Sequence, residues 1–149
     1  MKISRMHQVS AEALGTFLLA TSVGLSIVHP GVVPTPIIAG FTLLLLVYVL
    51  GPISGCHLNP AVTAGFWSTK KLDATQAVQY VVAQYVGALT AMALIASVNG
   101  SMLSLTALAL HIRQMALGGF AMVGVYLSDR FGFAPVLVVG GLMCLAGSS

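Results

Sequence analysis

The segment Ser54-Gly55-Cys56-His57-Leu58-Asn59-Pro60-Ala61-Val62-Thr63 crowds glycine, proline and polar side chains together without a single charge. Asn59 suits a helix N-cap, because its side-chain oxygen accepts from a first-turn N–H, and Pro60 suits the first helical position, where an N–H is not needed. The spacing predicts a short helix over Ala61 to Ser68, about 12 Å long at 1.5 Å per residue. Gly55, Cys56, His57 and Leu58, just before it, are expected to be extended, with carbonyls that no helix satisfies. A row of carbonyl acceptors leading to an asparagine and to the positive end of a helix is a path for a neutral hydrogen-bonding solute. The same field opposes a cation, including a hydrated proton.

Other chemistry has little support. No second histidine or carboxylate stands at ligand spacing from His57, so no metal and no cofactor are expected, and His57 reads as a satisfied buried histidine whose carbonyl lines the path. His7, His29, His57 and His111 are scattered and no nucleophile is paired with a base, so the chain is not read as an enzyme. Cys56 and Cys144 lie far apart in apolar surroundings and indicate no disulfide framework. Cys56, three residues before Asn59, either borders the path or is an inert apolar cysteine.

The elements that must hold this segment are apolar. The chain has 149 residues, 58% hydrophobic and 6% charged, against roughly 25% charged in soluble domains. It could not cover a folded surface in water, which excludes a secreted globular protein, a cytosolic enzyme and a disordered tail; the solvent is a lipid bilayer. No Asp, Glu, Lys or Arg occurs from Ala13 to Thr69, from Ala74 to Ile112 or from Phe131 to Ser149. Five spans are expected: Val9 to Val28, Ile37 to Leu50, Ala74 to Val98, Gln114 to Leu127 and Ala134 to Ala146. The second ends at Gly51-Pro52, and Leu103 to Leu110 is too short to cross. A signal-peptide reading of the first span is set aside, since it contains Glu12 and no small-residue cleavage site precedes His29-Pro30-Gly31. The uncharged, broken stretch from Pro52 to Ser68 belongs where irregular backbone is buried in protein or lines a wet cavity. Its short helix dips into the bilayer without crossing it. The formal charge of +3 comes from residues at the borders of apolar stretches, which anchor a membrane protein and form no patch for nucleic acid. Lys2, Arg5, Lys70, Lys71 and the Asp129-Arg130 turn fall on one side if the spans alternate. That makes the amino terminus cytoplasmic in an integral, multi-pass protein of the plasma membrane, with Arg113 a single exception.

The segment from Ser54 to Thr63 resembles the first pore loop of the major intrinsic protein family, the aquaporins and aquaglyceroporins, whose signature is SGxHxNPAVT. All eight fixed positions are present. Ala11-Glu12-Ala13-Leu14-Gly15-Thr16 resembles the family's AExxGT, and Ala83-Gln84-Tyr85-Val86-Gly87-Ala88 its AQxxGA. The resemblance implies an all-α membrane fold, an aquaporin-like bundle with one re-entrant half-helix, in a single domain over residues 1–149. It implies a pore motif at Asn59, Pro60 and Ala61, a pore-lining loop at Gly55, Cys56, His57 and Leu58, and a bracing role for Glu12 and Gln84. The alternative for Glu12 is a place at headgroup level. The family narrows its outer mouth with a large residue twenty positions before the asparagine, where this chain has Ala39. A methyl group there widens the constriction, unless a neighbour such as Phe41 fills the space, and puts strict selectivity for water in doubt.

The family is built from two inverted repeats. The first covers about residues 1–98 here, and a partial second about 102–149. Gln114-Met115-Ala116-Leu117-Gly118-Gly119-Phe120 resembles the start of the second repeat, with Gln114 in place of the usual glutamate as a brace. Matching Gln114 to Glu12 places the second pore asparagine near position 161, and residues 100–149 contain no Asn. The second half-helix and the sixth span are therefore expected to be missing from this sequence. The resulting expectation is a passive channel for water or small neutral solutes such as glycerol, in a homo-oligomer that is tetrameric by resemblance. The alternative is a non-conducting or modulatory subunit that needs another chain to complete a pore.

Overall fold

The computed structural model describes residues 3–99 of the chain. The expected fourth and fifth spans, the segment of residues 103–110 and Gln114 lie outside the described residues. Four helices account for nearly all of the described part, which contains no strand: α1 (Arg5–Val28), α2 (Thr35–Ser54), α3 (Pro60–Ser68) and α4 (Ala74–Val98). At 24, 20 and 25 residues, α1, α2 and α4 are long and apolar enough to cross a membrane. The nine residues of α3 reach only about 14 Å at 1.5 Å per residue, under half of a roughly 30 Å hydrocarbon core.

Each boundary has a local cause. Ser4 caps α1 with its hydroxyl accepting from His7 N–H at 3.4 Å, so the first span begins at Arg5, four residues earlier than the apolar pattern suggested. Asp73 caps α4, accepting from Gln76 N–H at 2.9 Å. The second span corrects the expected stop at Gly51-Pro52: α2 runs through Pro52 and ends at Ser54. A proline forfeits only its own N–H bond and bends the helix locally, and the last turn is closed by Gly55, which sits in the left-handed region at φ 89° and returns its N–H to the Gly51 carbonyl at 3.0 Å. A glycine at this place ends a helix at no steric cost.

Packing explains the order. Helix α1 is central, lying against both α2 and α4, while α3 leans on α4. Along α4 the buried residues Tyr80, Ala83, Gln84, Gly87, Ala88, Ala91 and Met92 form one face at helical spacing, most of them small. A side chain added at Gly87 would meet the backbone carbonyl of Ala13 in α1, so the two helices touch backbone to backbone there. Close approach through small residues is how helices associate in lipid, where burying apolar surface brings no gain. The opposite faces carry large exposed apolar residues such as Leu44, Leu45 and Tyr48, as lipid contact requires. Ala11, Leu46, Leu50, Cys56 and Leu58 form the core between α1, α2 and the loop that follows α2.

Candidate functional site

The five residues between α2 and α3 turn back into the bundle. Thr63, one turn into α3, accepts a hydrogen bond from Gln84 Nε2 at 2.9 Å, and Gln84 lies about 15 Å along α4 at 1.5 Å per residue, well inside the bilayer thickness. The start of α3 therefore lies level with the middle of α4. Asn59 caps it, its Oδ1 accepting from Ala61 N–H at 2.8 Å, with Pro60 in the first turn.

The loop itself departs from the extended form that the sequence suggested. Gly55, Cys56 and Leu58 all have positive φ, at 89°, 52° and 49°, so the backbone curls and its N–H groups converge on acceptors. Cys56 N–H donates to Ser54 Oγ at 3.0 Å, His57 N–H to Glu12 Oε1 at 2.9 Å, and Leu58 N–H to Glu12 Oε2 at 2.7 Å. Successive N–H groups wrapped around an anion form a nest. Sterically uncommon conformations at two non-glycine residues persist because a buried carboxylate collects the donors they expose.

Glu12 is the centre of this arrangement. It is fully buried on α1 and takes two further donors, Ser54 Oγ at 2.7 Å and Gln84 Nε2 at 2.8 Å. Its side chain is enclosed by protein and has no exposed surface. A charge in the bilayer is costly unless paired or hydrogen-bonded; here every one of its four contacts is a donor. Gln84, also fully buried, bonds both Glu12 and Thr63 and so joins α1, α3 and α4. The ring of His57 stands 3.2 Å from the Thr63 hydroxyl through Nδ1, stacks at 4.4 Å on Phe66 and meets the edge of Tyr80 at 5.3 Å. Among the described residues no group of histidine, cysteine and carboxylate side chains is placed to hold a metal ion.

A cavity of about 670 Å³ runs beside the loop. Cys56, His57, Leu58 and Asn59 form one wall, Thr16 and Ala20 of α1 another, and Ala39 of α2 lies on the same cavity, whereas Phe41 is exposed and is not among its lining residues. Gly55 is exposed and is likewise not among the lining residues. The structure thus brings together Glu12, Gln84, Cys56, His57, Leu58, Asn59 and Ala39, and Pro60 and Ala61 begin the helix at the cavity's edge. Sequence reasoning missed Ser54 as the hub of the loop and missed Tyr80, whose hydroxyl donates to the Ser54 carbonyl at 2.8 Å. Ser54 stood within the motif and Tyr80 four residues before Gln84, but nothing in their spacing announced a contact across 26 positions.

The sequence matches the family profile Major intrinsic protein over residues 1–134. The chain belongs to the major intrinsic protein family. Among its similar relatives, Aquaporin AqpM of Methanothermobacter thermautotrophicus is 36% identical over 110 residues, covering 58% of this chain and 45% of that protein. Aquaporin Z of Bradyrhizobium diazoefficiens is 38% identical over 94 residues, covering 58% and 39% respectively, and Aquaporin Z of Photorhabdus laumondii 35% over 98 residues, covering 60% and 42%. The match spans less than half the length of these curated relatives. As a major intrinsic protein with three membrane-length helices, the chain is an integral membrane protein with an aquaporin-like all-α fold.

Proposed function

We propose that this chain forms a passive channel for water and small neutral solutes such as glycerol, with no catalytic step. The observation that carries the reading is the half-helix capped by Asn59, which begins level with the middle of α4 and borders the same cavity as the loop of residues 56–58 and Ala39. The Asn59 side chain, its oxygen held by Ala61 N–H, fixes the start of α3 beside the cavity. The dipole of α3 raises the energy of a cation at that point, which excludes protons while water passes.

In this reading Asn59, Pro60 and Ala61 are the pore motif, Cys56 to Leu58 the pore-lining loop with Gly55 as the turn that leads into it, and Ala39 sets the width of the outer mouth. Glu12 and Gln84 brace the loop, and Gln114 takes the matching place in the second repeat. The protein works as a homo-oligomer, a tetramer by family, in the plasma membrane with its amino terminus in the cytoplasm. The pair Arg5–Asp73, 2.8 Å apart, supports that orientation, because it puts Arg5 and the turn carrying Lys70 and Lys71 at one end of the bundle.

Stopped-flow swelling of liposomes that contain only this chain tests the proposal. Water permeability well above that of empty liposomes is expected. A value no greater would overturn the self-sufficient channel and leave a non-conducting subunit that needs another chain. Asn59→Asp, which sets a full negative charge at the start of α3, is expected to raise proton or cation leak by about tenfold or more; tight vesicles with this variant would count against the role of the half-helix.

A further inference from the structure

Tyr80 is the largest fully buried side chain among the described residues, and the channel reading gives it no task. Its surroundings form a continuous series of hydrogen bonds. At the exposed end Arg5 pairs with Asp73, and Asp73 accepts from Gln76 N–H at 2.9 Å. Gln76 Nε2 spends its two protons on Gln8 Oε1 of α1 at 3.0 Å and on the Tyr80 hydroxyl at 3.2 Å. With that hydroxyl oxygen accepting from Gln76, its own proton goes to the Ser54 carbonyl at 2.8 Å. Ser54 in turn donates from Oγ to Glu12 and accepts there from Cys56 N–H.

The Ser54 carbonyl is one of those that a helix end leaves without an intrahelical partner. Tyr80 supplies that partner from another helix, while its ring and that of His57 stand edge to face at 5.3 Å. One side chain thus fixes both ends of the loop's first turn, and Gln76 fixes that side chain's proton. We infer that Tyr80, oriented by Gln76, is a positioning residue that sets the direction of the pore loop from Ser54 to His57 and ties it to the α1 and α4 ends where Arg5 meets Asp73. The inference deepens the channel reading and rests on it for its functional consequence.

The test uses the full chain in a Cys144→Ser background, so that Cys56 is the only thiol. Tyr80→Phe keeps the ring and removes the donor; Gln76→Leu removes the group that orients it. Two quantities are read in liposomes well below the unfolding temperature: the alkylation rate of Cys56 by a maleimide and the water permeability per reconstituted copy. Loss of one net hydrogen bond corresponds to about a two- to tenfold shift in a local equilibrium, so Tyr80→Phe is expected to speed alkylation by that factor and to lower permeability. Gln76→Leu is expected to act in the same direction, and the double variant no further than Tyr80→Phe alone, because Gln76 works through the tyrosine. Alkylation and permeability unchanged in both single variants, or effects that simply add in the double variant, would overturn the inference. If Tyr80→Phe does not fold, an unchanged alkylation rate in Gln76→Leu overturns it by itself. Wild-type liposomes no more permeable than empty ones would refute the channel reading instead, and the alkylation ratios would still decide this one.

Discussion

Glu12 holds four donors from three elements; if the carboxylate were lost, Ser54 Oγ–H, His57 N–H and Leu58 N–H would be left without an acceptor and Gln84 Nε2 would keep only Thr63. Substitution by glutamine is the sharpest probe, because it preserves size and turns one acceptor oxygen into a donor amide facing donors. A hydrogen bond to a buried charged group is worth about 1.5–3 kcal/mol, and a stranded buried donor costs about as much. Glu12→Gln is therefore expected to destabilise the protein by about 2–4 kcal/mol and to loosen the loop with its two left-handed residues. Thermal unfolding of the detergent-solubilised protein measures this; an unchanged midpoint would show that the loop holds its shape without the carboxylate. Much at this scale was readable in the sequence: the resemblance named Glu12, Gln84, Asn59 and Ala39, and the structure gathers them around one loop and one cavity. The curled form of Gly55 to Leu58 was not readable, because left-handed conformations at Cys56 and Leu58 have no signature in residue type. Their cause is a carboxylate 45 positions away from His57 in the chain.

Among the elements, α1 and α4 depend on Gly87. Any side chain there meets the Ala13 carbonyl, and because the obstacle is backbone the helices themselves must move. Overpacking of this kind costs about 1–3 kcal/mol, and Gly87→Val is expected to fall at the upper end while the exposed Gly40, with nothing near it, tolerates alanine. Melting curves of the two variants compare them directly, and equal stability would refute the close contact. The start of α4 adds a pH dependence. Gln76 N–H, and then Arg5, hold the Asp73 carboxyl below its ordinary value of 3.8. A depressed value means that the capped, ionised form contributes its full stabilisation above the ordinary carboxylate range and loses it as pH falls through the lower folded value. Wild-type unfolding is thus expected to show an acid-side loss of stability below about pH 4 that is smaller in Asp73→Ala; identical acid limbs would exclude the cap as its source. The spans themselves followed from charge-free stretches. So did both ends of α4 at Ala74 and Val98 and the end of α1 at Val28; the start of α1 and the ends of α2 did not, because Ser4 and Gly55 act through cap geometry that a hydropathy pattern does not resolve, and Pro52 is absorbed in the last turn of α2.

For the whole molecule the proposed channel raises the question of which solute its cavity would admit. Thr16 and Ala20 of α1, Ala39 of α2 and the loop residues Cys56 to Asn59 surround a space of about 670 Å³ with few polar groups. The lining is mostly apolar, with the loop residues Cys56 to Asn59 on one side, and Ala39 contributes only a methyl group to its width. Phe41, the neighbour most able to narrow this region, is 64% exposed and is not among the lining residues. Ala39→Phe is therefore expected to narrow the passage by a ring and to lower glycerol permeability by about tenfold or more while reducing water permeability far less, since selectivity follows pore diameter before it follows chemistry. Parallel stopped-flow measurements with water and glycerol gradients supply the ratio. A fall of equal size for both solutes would mean that Ala39→Phe blocks the passage as a whole and that the residue does not set the size limit; no change for either would place the constriction elsewhere in the chain.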